Sequence, residues 1–572
     1  MADPSLITQA NILKAHTIGG TALTEYPIPY RNIEELLTKQ VAINADRPWL
    51  IFYSDESVRH ECSYTQFFES VCKTANLLLS HGIKAGDRVA TVAYNHTDTV
   101  IQYFAAWMIG AVVVPINVGE DDKRIGYIIQ NSETRLAFVR AEFVERVEKI
   151  LHEMPGVEKI IVVGPEHSSS LQKRTYTNFH AAITNQPSAM KDIPIVSLDN
   201  EALIVYTSGT TGLPKGVVLT QYNLLIDAKA IAEWHGMVPG QRMMCVLPIH
   251  HVNGAVVTLI APLYYGGSIV LNRKFHSSNF FERIAIEKVH VVSVVPTLLQ
   301  FLLHETIDMS QFDITHFRHI ICGAGPLTVE LALHFEEAFN IPIIHGYGLS
   351  ETTCYSCFLP LDLSPEEHKR WLGEYGFPSI GVPIPSNEMA IHDNHGNQLP
   401  EHTKGEIVIR GYNVMKCYYA NPDANNKSFE SGWFHSGDEG FYKTDALGRK
   451  FFFITGRIKE LIIRGGVNIS PFEIDEVLMN MPGIKAGLSV GFDNDWYGEE
   501  VGAYIQVHQG VTMTEEEVIL YCRNHFPYHK CPKVVIFGDD IPVTSTGKYQ
   551  RNKLKYLFSA WKSMQFTENK RS

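Results

Sequence analysis

Between residues 64 and 165, and again from 229 to 345, short apolar runs alternate with stretches of helical periodicity, and no other feature of this 572-residue chain limits its fold as tightly. The segment YTQFFESVCKTANLLLSHG leads through the turn IKAGDR into VATVAY, and TDTVIQYFAAWMIG leads into AVVVPIN. Downstream, SIVLN, VHVVSVV, HIICGA and PIIHGYG repeat the pattern. Strands alternating with helices pair in parallel, so an α/β body of about 450 residues is expected. After Gly381 the texture changes to short strands (NEMAIHD, KGEIVIRG, KFFFITG) separated by Gly, Asn and Asp turns, which predicts a β-rich subdomain over about 381–458. The remainder, 459–572, reads as a small α+β domain with a helix at 471–481 opening on Pro471, strands GLSVGF and GAYIQV, and a helix at 514–526. The expected organisation is therefore an N-terminal domain, 1–458, followed by a C-terminal domain, 459–572.

Charge and apolar length exclude several classes. Lys and Arg number 49 against 62 Asp and Glu, a net charge of −13, and an acidic chain repels the phosphates of nucleic acid. The longest apolar stretch, 291–303, is interrupted by Ser293, Pro296, Thr297 and Gln300. It falls short of the roughly 18 apolar residues a membrane-spanning helix needs. The N-terminus has no basic region followed by an apolar core and a small-residue cleavage site, so no secretion signal is expected. Nine cysteines, an odd number scattered over the chain, suit reduced thiols in the cytoplasm better than a disulfide framework. The close pair Cys354 and Cys357 lacks a second pair or histidines at zinc spacing.

The most specific string is 206–218, YTSGTTGLPKGVV, directly after the apolar run ALIVY. Gly209, Gly212 and Gly216, the hydroxyls of Thr207, Ser208, Thr210 and Thr211, and Lys215 make a loop whose N–H and O–H groups can surround phosphate oxygens. A Walker A loop requires Gly-Lys-Ser/Thr, whereas here Pro214 precedes Lys215 and Gly216 follows it.

This string resembles the phosphate loop of the adenylate-forming superfamily, which includes acyl-CoA synthetases, peptide-synthetase adenylation domains and beetle luciferases. Further motifs of that superfamily follow in order over essentially the whole chain. Gly323, Ala324, Gly325 and Pro326 (within GAGPL) resemble its adenine-contacting turn. Gly346, Tyr347, Gly348, Ser350 and Glu351 (within GYGLSET) resemble the motif whose tyrosine flanks the adenine, whose hydroxyl reaches the phosphate and whose glutamate holds Mg²⁺; Ser350 stands where threonine is usual. In GWFHSGD, Asp438 is implied to receive the ribose hydroxyls, and in GRIKE, Arg457 contacts the nucleotide and Lys459 marks the hinge. RGGVNIS at 464–470 resembles the glycine-rich lining of the pantetheine tunnel, with Gly465 and Gly466 leaving room for a thiol arm. PVTSTGK ends on Lys548, implied to stabilise charge at the α-phosphate as pyrophosphate leaves. Because Lys548 lies far from Lys215 in sequence, the resemblance implies that the C-terminal domain closes over the site as a mobile lid.

The resemblance thus implies ATP and Mg²⁺ as cofactors, adenylation of a small-molecule carboxylic acid, and transfer to a thiol. In 247–254, LPIHHVNG, no aspartate is present to pair with an α-ammonium, so an acid lacking an α-amino group is expected, fatty or otherwise hydrophobic. His251 matches the superfamily histidine bordering the acyl pocket and the thiol route. Coenzyme A is the leading acceptor; the phosphopantetheine thiol of an acyl carrier protein is the alternative, and a luciferase-like oxygenase is a third reading with no supporting residue.

Overall fold

The computed structural model describes residues 4–21, 27–152, 157, 159–164, 175–190, 193–207, 213–543 and 549–567. Among these, the expected apolar runs form two large, mainly parallel sheets. One has the order Val382–Pro383, Cys357–Phe358, Ile343–Tyr347, His319–Cys322, Val291–Val294, Arg242–Cys245, Ser268–Asn272, Pro48–Tyr53, Arg59–Ser63, parallel inside and antiparallel at its edges. The other runs Cys417–Tyr418, Gly216–Thr220, Glu201–Tyr206, Val112–Ile116, Arg88–Val92, Leu136–Arg140, Lys159–Val163, Thr175–Asn178. Every residue of Val112–Ile116 and of Ser268–Asn272 is buried, as strands covered by helices on both faces must be. Helix starts follow local chemistry: Thr220 and Asn223 close a reciprocal cap on Gln221–Trp234, and Ser63 and Gln66 do the same on Tyr64–Ser80.

One local feature departs from the sequence expectation and a second was not anticipated by it. The stretch 206–218 is not loop to its end, since Gly216–Thr220 returns as a strand antiparallel to Glu201–Tyr206. Its apolar residues are drawn into the sheet by burial: Val217, Val218 and Leu219 are fully buried. Secondly, LPIHHVNG runs into a π-helix, Asn253–Ile260. Gly254 makes that start possible, because a Cβ there would lie 2.4 Å from the Pro248 carbonyl oxygen.

The predicted β-rich region is a four-stranded antiparallel sheet, Asn387–His392, Gly405–Gly411, Phe434–Thr444 and Lys450–Arg457. It joins the body through an aromatic stack, Trp371 on Phe451 at 3.8 Å, and through a buried polar seam. In that seam Asn413 Nδ2 reaches the Tyr355 carbonyl (2.9 Å), Asn387 Oδ1 (3.2 Å) and Asp227 Oδ1 (3.3 Å). Burial pushes the Asp227 carboxyl up to about 8, so it is protonated at neutral pH and joins the seam without a buried charge.

The C-terminal segment builds a separate sheet around Ile484–Asn494 and Gly498–Val507, with cores on both faces: Ile474, Leu478 and Val518 on one, Leu488, Phe492 and Phe558 on the other. Arg551 is buried in it against Asp475 and 3.6 Å from Glu460. This unit rests on the body through Lys404 with Glu473 (2.7 Å), through the Val329 N–H donating to Glu476 Oε1 (3.0 Å), and through the rings of His304 and His508 (5.7 Å). None of the described helices is long and apolar enough to cross a membrane.

The Glu476 contact makes docking of this unit proton-linked. Burial raises the Glu476 carboxyl to about 7, against the N–H groups of Val329 and Glu330, while the charges of Glu330 and Asp475 push it further up. Undocked, the carboxyl titrates at its ordinary lower value, so the docked form binds more protons. This contribution to docking is complete below about 4.5 and is lost as pH rises through about 7. His304, whose pKa burial and His508 lower, acts in the opposite sense. Limited proteolysis at 457–463 at pH 5.5 and 8 is expected to show faster cleavage at pH 8 in the native protein and a smaller difference in Glu476→Gln. The same pH response in both proteins would rule the linkage out.

Candidate active site

Open α/β sheets bind ligands beyond the carboxyl ends of their parallel strands. Glu201–Tyr206 leads into 207–215, Arg242–Cys245 toward 247–254, His319–Cys322 into 323–326 and Ile343–Tyr347 into 348–351. Three of these motifs follow strands of one sheet and the fourth, 207–215, follows a strand of the other, and the two sides meet through Tyr418, which touches both Lys215 and Glu351.

Asp438 stands on Phe434–Thr444 directly opposite Arg457 on the neighbouring strand. Its carboxylate is buried, 3% exposed, with both oxygens engaged: the Tyr347 hydroxyl donates to Oδ2 at 2.7 Å, and Arg457 Nε lies 3.3 Å from Oδ1. Burial, together with the Asp438 charge, drives the Tyr347 hydroxyl well above its ordinary pKa, so it remains a donor. The Asp438 charge likewise raises Arg457. Ser436 Oγ donates to the Ile407 carbonyl (2.6 Å) and accepts from the Asp438 N–H (3.0 Å), which orients the turn carrying the carboxylate. Each carboxylate oxygen retains a lone pair for a further donor.

A second group assembles around Lys215. Its ammonium sits 3.9 Å from the centre of the Tyr418 ring, and the Tyr418 hydroxyl donates to Glu351 Oε1 at 2.7 Å. Burial lowers the Lys215 pKa, the Glu351 carboxylate raises it, and the charges of Lys459 and Lys427 lower it again. Lys459 and Lys427 thus add to the positive field at Lys215, which suits phosphate oxygens. The Thr207 N–H donates to the Lys215 carbonyl at 3.0 Å, pinning the near end of the loop. Tyr418 is a residue that sequence reading missed; nothing in YYANP marks it.

The glycines act first by permitting close packing. A Cβ on Gly348 would lie 1.8 Å from the Cys354 carbonyl oxygen, one on Gly323 2.7 Å from the Gly346 carbonyl oxygen, and one on Gly346 2.4 Å from the Phe358 ring. Ala324 takes a left-handed conformation (φ 61°), and with Gly325 and the exposed Pro326 it forms the open lip of that turn. Ser350 and Glu351 are half-buried in the short turn Ser350–Thr352.

His251, with Tyr206, Thr207 and Pro214, lines a narrow cavity of about 30 Å³ beside the phosphate loop. His250, its ring 4.4 Å from that of His251, is driven by burial well below the usual histidine pKa and stays neutral. Lys459 lies in the turn Ile458–Glu460, between the β-rich sheet and the C-terminal unit. Gly465 and Gly466 occupy the exposed tip of the hairpin Ile462–Arg464 and Val467–Ile469, both with positive φ. That hairpin is fastened to its own unit: Arg464 pairs with Glu500 at 2.7 Å and stacks on Tyr497. Ser208, Gly209, Thr210, Thr211, Gly212 and Lys548 lie outside the described residues.

The chain is similar to known proteins over most of its length. The AMP-binding enzyme family matches residues 37–419, and the AMP-binding enzyme C-terminal domain matches 473–548. A sulfoacetate–CoA ligase of Cupriavidus necator is 31% identical, covering 92% of this chain and 98% of that one. An oxalate–CoA ligase of Arabidopsis thaliana is 30% identical over 86% and 93% of the two chains. Among solved structures, ATP-bound MatB from Rhodopseudomonas palustris has a TM-score of 0.80 at 26% identity, covering 92% of this chain and 99% of that one.

Proposed function

The chain belongs to the AMP-binding enzyme family, and on that premise we propose that it activates a carboxylic acid with ATP and passes the acyl group to the thiol of coenzyme A. The observation that carries this reading is the buried Asp438 carboxylate, held by Tyr347 and by Arg457, which also feels the charge of Glu351 in the group formed with Tyr418 and Lys215.

In the first step a carboxylate oxygen of the acid attacks the α-phosphorus of ATP, the bond to the β-phosphate oxygen breaks, and pyrophosphate leaves. In the second the thiol sulfur attacks the acyl carbonyl, loses its proton, and AMP departs. Asp438 receives the ribose hydroxyls, and Tyr347 with 323–326 and Gly346 to Gly348 frames the adenine. Thr207, the 208–212 loop, Lys215 and Ser350 hold phosphate oxygens, and Arg457 adds a charged contact. Glu351, half-buried next to Lys215, suits Mg²⁺, which takes one or two carboxylates plus substrate phosphates and would offset phosphate charge. Lys548 reaches the α-phosphate from the C-terminal domain, 459–572, which turns about Lys459 so that Gly465 and Gly466 line the thiol route beside His251. Such positioned charges carry most of the rate.

The acid lacks an α-amino group, since 247–254 offers no carboxylate to an ammonium. That the two relatives above are CoA ligases supports coenzyme A as acceptor. All nine cysteines are free, which suits the cytoplasm. The test is acid-dependent ATP–pyrophosphate exchange, repeated with coenzyme A while AMP and free thiol are followed. Exchange together with thiol loss is expected. Exchange without thiol loss would redirect the second step to a carrier-protein thiol, and no exchange with any acid would overturn the reading.

A further inference from the structure

Lys215 directly precedes the strand Gly216–Thr220 of one large sheet, and Glu351 follows Ile343–Tyr347 of the other. One short segment, 415–419, fastens the two sides together. The Met415 N–H donates to the Glu351 carbonyl at 2.8 Å. The Lys416 N–H donates to the Val218 carbonyl (2.9 Å) and the Tyr419 N–H to the Gly216 carbonyl (2.7 Å), while Cys417 and Tyr418 pair antiparallel to Val218 and Val217. Asn425 completes the clamp: its Oδ1 accepts from the Tyr418 N–H at 2.7 Å and its Nδ2 donates to the Tyr418 carbonyl at 3.0 Å. The backbone that carries the Tyr418 side chain is therefore tied to both motifs.

The side chain spans the same gap. Tyr418 is 2% exposed, and the Lys215 and Glu351 side chains it joins are half-buried. Its hydroxyl donates to Glu351 Oε1 at 2.7 Å, and its ring centre lies 3.9 Å from the Lys215 ammonium. A donor committed to one carboxylate oxygen fixes the orientation of the whole group, and the other oxygen keeps its lone pairs for a ligand. An aromatic face attracts an ammonium without neutralising it, so the charge stays available to phosphate oxygens. One buried ring thus sets both charges at a fixed separation.

Resting on the ligase reading above, we infer that Tyr418 is a positioning residue with two separable parts: its hydroxyl holds Glu351 for the Mg²⁺ that accompanies ATP, and its ring holds Lys215 for the phosphate oxygens.

The test is isothermal titration calorimetry of the full-length protein with MgATP and, in EDTA, with metal-free ATP, no acid being present so that nothing turns over. Tyr418→Phe keeps the ring and loses the hydroxyl. It is expected to raise the Kd for MgATP about tenfold, the usual loss when the partner that orients a metal ligand is removed, and to leave the Kd for metal-free ATP within about twofold. Tyr418→Leu loses both parts and should weaken metal-free ATP as well, by about fivefold. Glu351→Gln should weaken MgATP, and adding Tyr418→Phe to it should cost little more, because residues acting through one contact are not additive. Thermal melts check that each variant folds. A Tyr418→Phe protein that loses both affinities in parallel or neither, or effects of the two substitutions that simply add, would overturn the inference, while exchange by the native protein would leave the ligase reading intact. Absence of both ATP binding and exchange in the native protein would remove both.

Discussion

Lys548→Ala is expected to cut acyl-adenylate formation by about 10²–10³-fold, the loss typical when one preorganised charge at a developing anion is removed, while preformed acyl-AMP is still converted to thioester at nearly the native rate. The asymmetry follows from the division of labour proposed for the two units. Lys215 belongs to the body and sits on Tyr418 beside Glu351, so it is available in both steps. Lys548 belongs to the C-terminal unit, where its neighbours are firmly held: Val543 bridges Tyr549, the Gln550 N–H donates to the Pro542 carbonyl at 2.8 Å, and Arg551 is buried against Asp475. A lysine carried by that unit acts only when the whole unit faces the nucleotide. Separate assays of pyrophosphate exchange and of thioester formation from synthetic acyl-AMP check this. Equal loss in both half-reactions would dismiss the lid role of Lys548.

Asp438→Ala should raise the KM for ATP by about tenfold or more and leave the KM for the acid within about twofold, since hydrogen bonds to a charged acceptor contribute on the order of 1.5–3 kcal/mol. The native carboxylate is already oriented by Tyr347 and Arg457 before any ligand arrives, so little ordering is left for binding to accomplish. Removing it also leaves the buried Tyr347 hydroxyl without its acceptor, at about 1–3 kcal/mol of stability. A lowered melting temperature should therefore accompany the kinetic change. Asp438→Asn, which keeps the shape and one acceptor oxygen, should recover most of the stability and part of the ATP affinity. An unchanged KM for ATP in the alanine variant would sink the ribose assignment.

The parallel α/β character of the body was legible in the sequence because a buried parallel strand is a short apolar run, and VATVAY, AVVVPIN and SIVLN state that locally, whereas its division into two sheets was not. The nucleotide motifs were legible for a related reason: each is a short turn at a strand end, and its glycines are demanded by backbone distances within a few residues or between adjacent strands. Gly348 against Cys354 and Gly323 against Gly346 are such cases. The strand Gly216–Thr220 was hidden by the loop that precedes it, and the π-helix at Asn253 by a contact between Gly254 and Pro248 that no periodicity reports.

What the sequence determined by itself is thus the layered α/β body, the order of its motifs and the chemical types gathered at the strand ends, all of which rest on local pattern. Tertiary structure alone decided that Tyr418 binds Glu351 and carries Lys215, that Asn413 reaches Asp227 across the seam, and that Tyr355 meets Asn253 beneath Gly323. Those partners lie 67, 186 and 102 residues apart. A tyrosine or asparagine outside regular periodicity looks the same in sequence whether it faces water or a buried partner, and only the folded chain sets the burial that makes its hydrogen bond obligatory.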